Sequence, residues 1–376
     1  MKILFIHRWV GVHEGGTETH IKEVASFMAR QGHEVYILTR KGPALSDFDP
    51  KVKVVTVGKT PGESQFSYKS MYDPRLWFYT GTYVLKILTR LLGLWIKGIR
   101  FNVVSVHFLV ESKAARIFRF LTKTPFIFVI EGYTDAEAKE ARHANLVMAS
   151  SQHELDECYK HYGYKPVLKP HGIDLKRFRK DADKNDEIRK RYVKEGEKLV
   201  VTVCRLEPRK DLPTLIKAAK VVKEKNPKIK FVVVGEGVSG EELHQMVKDL
   251  GLSDTISFAG RVSEEDLPKY YAAGDLYALP TLYEGFGIVY LEAMASECPV
   301  LSTKVGAIPE VVEDDGVLIE PKDPEKLAEK ILELLENEKL RMELVDKGLK
   351  KVREKYDREK VLGIFEESLE NLLKNK

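Results

Sequence analysis

Residues 199–211 of this 376-residue chain read LVVTVCRLEPRKD. The first five residues are apolar or β-branched, which is typical of a short buried strand. A basic turn that contains Arg205 and Lys210 follows the strand. Open α/β sheets bind their ligands at the carboxyl ends of the strands, so two cations at such an end predict an anion site. A solvated basic turn is the alternative, since 31% of the chain is charged.

The same alternation of strand and helix repeats along the whole chain. Short continuous apolar strands separated by helices predict parallel sheets that are covered on both faces. Two such series predict two doubly wound α/β domains. We predict strands at Lys2–His7, Glu34–Thr39, Lys53–Gly58, Val103–Phe108, Pro125–Glu131, Leu146–Ser151 and Pro166–Pro170 in the first half, and at Leu199–Val203, Phe231–Gly235, Ile256–Gly260, Leu276–Pro280, Pro299–Thr303 and Val317–Glu320 in the second.

The length of the chain suits two domains of ordinary size. The junction falls near His171–Asp183, where Pro170 and Gly172 interrupt the pattern and a charged stretch follows. We therefore predict a first domain at residues 1–172 and a second domain at residues 173–360. From Pro324 onward the pattern is almost continuously helical and rich in Glu and Lys.

Composition excludes several classes of protein. A net charge of +4 without a basic tail argues against nucleic-acid binding. Cys158, Cys204 and Cys298 lie far apart and fit neither a disulfide framework nor a metal site, so we expect a reducing cytoplasm. The first residues read as a strand and not as a signal peptide, and no run of about 18 apolar residues predicts a membrane span. No His/Asp/Glu cluster at metal-ligand spacing stands out, so no metal is expected.

Two carboxylates form the second motif of interest. Residues 283–293 read YEGFGIVYLEA, with Glu284 on a flexible stretch and Glu292 in the helical pattern behind it. Eight residues are a little over two helical turns, so both carboxylates could face one side. The free N–H groups of the helix start attract phosphate. The pattern therefore suits a nucleoside diphosphate sugar, although two acids with no shared task remain the alternative.

With these motifs the chain resembles the retaining glycosyltransferases of GT-B architecture, family 4, also called group 1. Further matching segments are Gly15-Gly16, His171–Asp174, Phe258–Val262 and Gly306–Glu310. The resemblance implies two Rossmann-like domains that face each other across a cleft. The first would bind the acceptor and the second the nucleotide sugar, with the final helix at about residues 361–376 packing back on the first domain.

The resemblance also implies a role for each matching residue. It implies retention of anomeric configuration, no metal and no cofactor beyond a UDP- or GDP-sugar as co-substrate, and a sugar or lipid-linked acceptor. The departing phosphate would itself take the proton of the acceptor. The implied residues are Arg205 and Lys210 on the leaving diphosphate, Gly285, Phe286 and Gly287 on phosphate, Glu284 on the donor sugar, Glu292 on the ribose, Arg261 and Val262 near the base, and Gly15 and Gly16 facing donor phosphate and acceptor.

Glu131 departs from the family pattern. After the strand that ends at Ile130 the family usually places a histidine that reaches the donor sugar, and this chain has Glu131. A carboxylate there could accept hydrogen bonds from sugar hydroxyls or stabilise positive charge at the anomeric carbon. It could equally mark a nucleotide-sugar-binding subunit with altered catalysis. His107, on the preceding predicted strand, matches another histidine that is common in the family.

A glycine-rich stretch supports a different hypothesis. Residues 235–240 read GEGVSG after a predicted strand and match the dinucleotide fingerprint. An NAD-dependent oxidoreductase is therefore an alternative. That fingerprint needs an acid at the end of the next strand, where this chain has Arg261. We favour a tight turn in which Gly235 lies near the nucleotide.

A segment in the first domain suggests a membrane contact. Phe66–Tyr83 is rich in aromatic residues, and Tyr83–Arg100 contains no acid. On a helical wheel four basic residues share one side, opposite an apolar side. Such a helix can lie on the inner membrane face and would suit a lipid-linked acceptor, which the aromatic segment would guide to the cleft. Alternatively, the apolar side packs on the sheet. The basic residues are Lys86, Arg90, Lys97 and Arg100, and the apolar ones are Leu88, Leu92, Trp95 and Ile99.

Overall fold

A computed structural model of the protein describes residues 1–10, 12, 16–42, 48–58, 74–132, 134–180 and 182–374. The described chain forms two compact units. One comprises Met1–Pro170 together with Leu362–Lys376, and the other comprises His171–Val361.

The first unit is built on a seven-stranded parallel sheet with the order β3-β2-β1-β4-β5-β6-β7. Ile3 in the central strand pairs with Val35 on one side and with Val103 on the other. Buried Val, Ile, Leu and Phe side chains fill both faces of this sheet, as expected for parallel strands. The strands are β1 (Lys2–Ile6), β2 (Glu34–Arg40), β3 (Lys53–Val57), β4 (Val103–Val106), β5 (Phe126–Ile130), β6 (Leu146–Ala149) and β7 (Val167–Leu168).

Five helices of the first unit connect these strands. Each connection runs from one parallel strand to another and therefore crosses over a face of the sheet. The helices are α1 (Gly16–Arg30), α2 (Pro74–Ile96), α3 (Leu109–Thr122), α4 (Asp135–Ala141) and α5 (Gln152–Tyr162). Ser151 caps α5 by accepting a hydrogen bond from the backbone N–H of Glu154, which fixes where that helix begins.

The second unit is built on a six-stranded parallel sheet with the order β10-β9-β8-β11-β12-β13. Its strands are β8 (Lys198–Val203), β9 (Ile229–Val234), β10 (Ile256–Gly260), β11 (Leu276–Leu279), β12 (Val300–Thr303) and β13 (Val317–Ile319). All thirteen predicted strands are present, and the predicted fold of two parallel α/β domains is confirmed.

The helices from α6 onward complete the chain. They are α6 (Ala182–Tyr192), α7 (Leu212–Lys225), α8 (Gly240–Asp249), α9 (Leu267–Ala273), α10 (Ile288–Ala295), α11 (Ile308–Val312), α12 (Pro324–Glu336), α13 (Glu338–Lys355) and α14 (Arg358–Lys374). The helical tail predicted from Pro324 onward is thus α12 to α14. In the first unit the Phe365 ring of α14 stacks on Phe5 at 5.9 Å. Leu369 of α14 is also fully buried in that core.

Strand order reverses once in each sheet. In the first sheet successive strands run outward from β1 to β3 on one side and from β4 to β7 on the other. In the second sheet the same reversal lies between β8 and β11. Ligands of open α/β sheets bind outside the carboxyl ends of the strands at such a reversal. The fold therefore places one candidate site in each unit.

The basic helix predicted at Tyr83–Arg100 is corrected by the structure. Helix α2 ends at Ile96, because Gly98 has a φ of +84° and turns the chain out of the helix. Lys97 and Arg100 therefore lie beyond the helix. The apolar side of α2 packs on the sheet, where Ile87 is fully buried and Leu88, Leu92, Trp95 and Ile99 are partly buried. The part of the chain that is described contains no helix long and apolar enough to cross a membrane.

The aromatic segment predicted to guide an acceptor is described only at its end. Phe66, Tyr68 and Tyr72 lie outside the described residues. Of the aromatic side chains that follow, Tyr83 is described, and it is buried in the core of the first unit. An acceptor-guiding role for this segment stays a prediction.

Candidate active site

A buried ion pair joins the two loops at the reversal in the second sheet. Lys210 follows β8 and Glu284 follows β11, and the Lys210 Nζ donates to Glu284 Oε1. Both side chains are 8% exposed. The two residues are 74 positions apart, so folding brings together what the sequence presents as separate motifs. A buried, hydrogen-bonded pair of charges at the ligand edge of a sheet is typical of a site that binds a charged ligand.

Local hydrogen bonds hold the Lys210 loop in place. Residues Pro208–Lys210 form one turn of 3-10 helix, and Asp211 follows in a left-handed conformation with a φ of +48°. The Thr281 hydroxyl and the Leu282 N–H both donate to the Arg209 carbonyl, at 2.9 and 2.7 Å. The two loops are thereby tied together beside the ion pair.

Gly306 supports the Glu284 loop from behind. Its φ is +53°, and a Cβ at this position would come closer than 3.0 Å to the Glu284 carbonyl oxygen. That oxygen accepts a hydrogen bond of 3.0 Å from the N–H of Ala307. Glycine is therefore required both for the backbone conformation and for the close approach.

The predicted spacing of Glu284 and Glu292 is corrected by the structure. Gly287 adopts a φ of +88°, so α10 begins at Ile288 and only Glu292 lies on a helix. Glu284 lies on the loop four positions before that helix, and helical spacing does not relate the two carboxylates. Glu292 accepts a hydrogen bond of 2.6 Å from the Tyr271 hydroxyl. Burial, followed by the Glu292 charge, raises the pKa of Tyr271 well above its usual range.

The remaining residues predicted on phosphate lie directly before α10. Phe286 is 4% exposed, and its ring packs edge-on against His171 at 5.1 Å and Tyr356 at 5.8 Å. Its side chain anchors the loop in the core, which leaves only its backbone for a ligand. Gly285 and Gly287 flank it. A Cβ on Gly287 would meet the Tyr290 ring at 2.6 Å.

The glycine-rich turn packs against the Arg205 loop. Gly235 has a φ of +128°, and the Leu206 N–H donates to the Glu236 carbonyl at 3.0 Å. The glycine-rich stretch therefore forms a tight turn between β9 and α8, as predicted. The Arg205 side chain is 69% exposed and lies 3.1 Å from Glu207. At the end of β10, the Arg261 N–H lies 3.4 Å from Glu236 Oε1.

Val262, the second residue predicted near the base, is partly buried against the core of the second unit. Of the two glycines predicted after the first strand, Gly15 lies outside the described residues and Gly16 is the first residue of α1.

The second candidate site lies at the carboxyl edge of the first sheet. Glu131 follows β5 and its side chain is 6% exposed. Its Oε1 lies 3.3 Å from His107 Nδ1 and 3.8 Å from His20 Nε2. The His20 Nε2 is also in contact with the Nζ of Lys169, which follows β7. Three basic side chains, those of His107, His20 and Lys169, thus converge near the buried carboxylate of Glu131.

His7 extends this cluster and directly follows β1, the strand next to β4. Its Nδ1 accepts hydrogen bonds from the N–H groups of Trp9 and Val10 at 3.3 and 3.2 Å, so the proton of the neutral ring is on Nε2. That Nε2 has no hydrogen-bond partner among the described residues. Burial first, and then His107, lower the pKa of His7 well below its usual range. The Nε2 of this neutral imidazole lies 3.8 Å from Glu18 Oε1, beyond hydrogen-bond distance.

Sequence reasoning missed His7, His20 and Lys169 as site residues. His7 ends the first predicted strand and could have been found by asking which side chains follow strands. Lys169 carried a second signal, since it is a charged residue inside a predicted strand. His20 lies within a helix and has no comparable signal.

Two glycosyltransferase family models match the chain. Glycosyltransferase Family 4 matches residues 14–177, and Glycosyl transferases group 1 matches residues 183–351. Together these matches span most of both units and include every motif on which the resemblance was based. The chain therefore belongs to the group 1 glycosyltransferases of family 4.

Curated relatives differ in the acceptors that their names give. A GDP-mannose-dependent alpha-(1-6)-phosphatidylinositol monomannoside mannosyltransferase of Mycobacterium tuberculosis is 34% identical over 175 residues, which are 44% of this chain and 46% of the relative. A D-inositol 3-phosphate glycosyltransferase of Corynebacterium efficiens is 27% identical over 88% of this chain and 84% of the relative. The chain thus spans about half the length of the first relative and most of the second.

Solved structures share the fold over the full length of the chain. The sucrose-phosphate synthase of Thermosynechococcus elongatus superposes with a TM-score of 0.85 at 20% identity and covers 100% of both chains. Anabaena Alr3699/HepE in complex with UDP and glucose superposes with a TM-score of 0.80 at 21% identity, covering 99% of this chain and 100% of that one. At this identity the likeness establishes the GT-B fold.

Proposed function

We propose that the protein transfers a hexose from a UDP- or GDP-sugar to a sugar or lipid-linked acceptor, with retention of configuration and without a metal ion. The observation that carries the proposal is the buried Lys210–Glu284 pair at the reversal of the second sheet. Family membership supports glycosyl transfer, and the mycobacterial relative is by name GDP-mannose-dependent. The second unit would bind the donor and the first unit the acceptor.

The donor diphosphate would engage two cations. Lys210 is held by Glu284 before the donor arrives, so its ammonium needs little reordering. Arg205 has an exposed side chain that is able to fork two phosphate oxygens. Negative charge grows on the diphosphate as the sugar leaves, and preorganised cations stabilise that charge without a metal. Glu284 would then accept hydrogen bonds from the donor sugar.

Backbone and flanking groups would hold the rest of the nucleotide. The N–H groups of Gly285 to Gly287 precede α10 and suit a phosphate. Glu292, which accepts a hydrogen bond from the Tyr271 hydroxyl, would bond the ribose. Arg261 and Val262 would border the base at the end of β10.

The proposed reaction needs no protein side chain as a base to take the acceptor proton. The bond between the anomeric carbon and the diphosphate oxygen breaks, and the acceptor oxygen bonds to the same face of that carbon. The acceptor proton passes to the departing phosphate oxygen. Glu131, buried among basic side chains, would stabilise positive charge at the anomeric carbon or bond the sugar hydroxyls.

A donor screen tests the first half of the proposal. GDP-mannose, UDP-glucose and ADP-glucose are compared by thermal shift, since a ligand that binds only the folded state raises the melting temperature. With the responsive donor, Lys210→Met and Arg205→Met should each lower kcat by about 100-fold. Arg209→Met is the matched control, because Arg209 is an exposed arginine of the same turn that also contacts Glu207. Equal activity in all three variants would show that Arg205 and Lys210 do not stabilise the leaving diphosphate.

A transfer assay separates the enzyme from the binding subunit. Both hypotheses predict donor binding, but only an enzyme releases the nucleoside diphosphate when an acceptor or water is present. Binding without release at any acceptor would favour the subunit. The family match favours glycosyl transfer over the oxidoreductase alternative, which predicted nicotinamide binding at Gly235–Gly240.

The proposed membrane contact rests on a different surface from the predicted basic stripe. Helices α2 and α3 leave large apolar side chains exposed, with Ile96 and Phe120 each 76% exposed. Lys97 and Arg100 follow Ile96, and Lys123 follows Phe120. Liposomes with anionic lipid should bind the protein at low salt and release it at high salt. If such liposomes bind nothing at low salt, the proposed membrane contact is refuted.

A further inference from the structure

Lys169 is a charged residue in an environment that normally excludes one. It is 2% exposed and lies directly after the edge strand β7 of the first unit. Its N–H donates to the Ala149 carbonyl at 2.8 Å, which ties the Lys169 backbone to the neighbouring strand. Lysine is almost never fully buried unless it is paired. The groups around Lys169 therefore determine its role.

Three acidic or basic groups face the Lys169 ammonium from two elements. Helix α1 contributes His20, whose Nε2 contacts the Nζ, and Glu23, which interacts electrostatically. The loop after β5 contributes Glu131, which interacts with Lys169 more strongly than Glu23 does. The ammonium donates to His20 Nε2, so this nitrogen is an acceptor and the proton of the neutral ring is on Nδ1. The same nitrogen lies 3.8 Å from Glu131 Oε1, so His20 Nε2 is next to both the cation and the carboxylate.

We infer that Lys169 is a positioning residue that acts through His20 to balance the charge of Glu131 at the sheet edge of the first unit. The inference rests on the proposed glycosyl transfer and adds a group that neither the family pattern nor the sequence motifs assign. Glu131 takes the place of a family histidine, so this chain buries an acid there. A buried acid requires a compensating charge, and Lys169 is the cation that the fold supplies.

The charge of Lys169 sets a pH window. Burial is the main cause that lowers the pKa of Lys169 to about 8, while Glu131 and Glu23 oppose the effect. Below pH 8 the ammonium balances Glu131. Above pH 8 the cation is lost, and the neutral Lys169 amine no longer balances the charge of Glu131. Activity that depends on the pair must therefore fall on the alkaline side.

The first test is the pH dependence of kcat in the wild-type enzyme between pH 6.5 and 9.5. We expect a tenfold fall per pH unit above about pH 8, as for a single essential proton. Lys169→Met should lower kcat by about 100-fold at pH 7.5 and have no alkaline limb, with the KM for the donor within about threefold of wild type. Lys165→Met is the control, since Lys165 is exposed four positions earlier. A purely structural role would lower the melting temperature and leave the alkaline limb in place.

The second test is a double-mutant cycle with Glu131→Gln. If the two residues act as one unit, Glu131→Gln/Lys169→Met is no slower than either single variant. If Lys169→Met does not fold, Lys169→Arg decides, because arginine stays charged at pH 9.5 and must abolish the alkaline limb. A flat wild-type profile, or losses that multiply in the double variant, would overturn the inference. Absence of any transfer by the wild type would instead refute the proposed function.

Discussion

Replacing Gly306 with alanine should disturb the candidate active site in a calculable way. Gly306 has a φ of +53°, and a Cβ there would lie closer than 3.0 Å to the Glu284 carbonyl oxygen. An alanine in the left-handed region costs about 1–2 kcal/mol. Relief of the overlap requires a backbone shift that costs about 1–3 kcal/mol. Displacement of the Glu284 carbonyl from the Ala307 N–H costs about 1 kcal/mol more.

Gly251→Ala is the matched control for this substitution. Gly251 has a φ of +65° in the same unit, and a Cβ there meets nothing within 4 Å. It therefore carries the conformational penalty alone. We expect Gly306→Ala to lower the free energy of unfolding by roughly 3–6 kcal/mol and Gly251→Ala by about 1–2 kcal/mol.

The two variants are compared by urea denaturation followed by circular dichroism and by calorimetric titration with the responsive donor. Because Glu284 holds Lys210, displacement of its loop should weaken donor binding at least about tenfold in Gly306→Ala, a loss of about 1.4 kcal/mol. Gly251→Ala should bind the donor as the wild type does. If the two variants lose the same stability and keep the same donor affinity, then Gly306 does not support the Glu284 loop.

Three further substitutions or treatments test other parts of the structure. Glu154 accepts two hydrogen bonds from Ser150, and burial raises its pKa to about 8. Because this folded-state pKa exceeds the unfolded one of 4.5, the free energy of unfolding should fall by roughly 4 kcal/mol between pH 4.5 and pH 8. Glu154→Gln should remove this pH dependence, as measured by denaturation curves at each pH. Lys351 is buried, donates to two carbonyls at the end of α11 and pairs with Asp315 at 2.7 Å. Lys351→Met should therefore lower the free energy of unfolding by about 3–5 kcal/mol. The control Lys350→Met, at an exposed lysine, should change it by less than about 0.5 kcal/mol. Transfer activity should survive EDTA. Loss of activity in EDTA that is restored by adding Mg²⁺ or Mn²⁺ would contradict the proposal that Arg205 and Lys210 stabilise the diphosphate without a metal.

The sequence alone determined the strands and the parallel sheets, and it indicated where the candidate active site of the second unit lies. Strand prediction succeeded because buried parallel strands are continuous apolar runs between helices, a pattern that depends on neighbouring residues only. Arg205 and Lys210 could be assigned to a ligand edge for the same reason, since each follows a recognisable strand. The helix boundary at Ile96 was less secure, because the apolar pattern of α2 continues past the point at which Gly98 ends the helix.

Only the tertiary structure decided which side chains meet. Lys210 and Glu284 are 74 residues apart, and Lys169 and His20 are 149 residues apart. No local pattern encodes such pairs, since strand order in the sheet brings together loops that are distant in the chain. Burial likewise depends on the whole fold, and it is burial that turns Lys169 from one of many lysines into a cation with a pKa of about 8 beside an unusual acid. The chemistry of each loop is thus local, whereas the pairing of loops and the desolvation of their charges are properties of the folded chain.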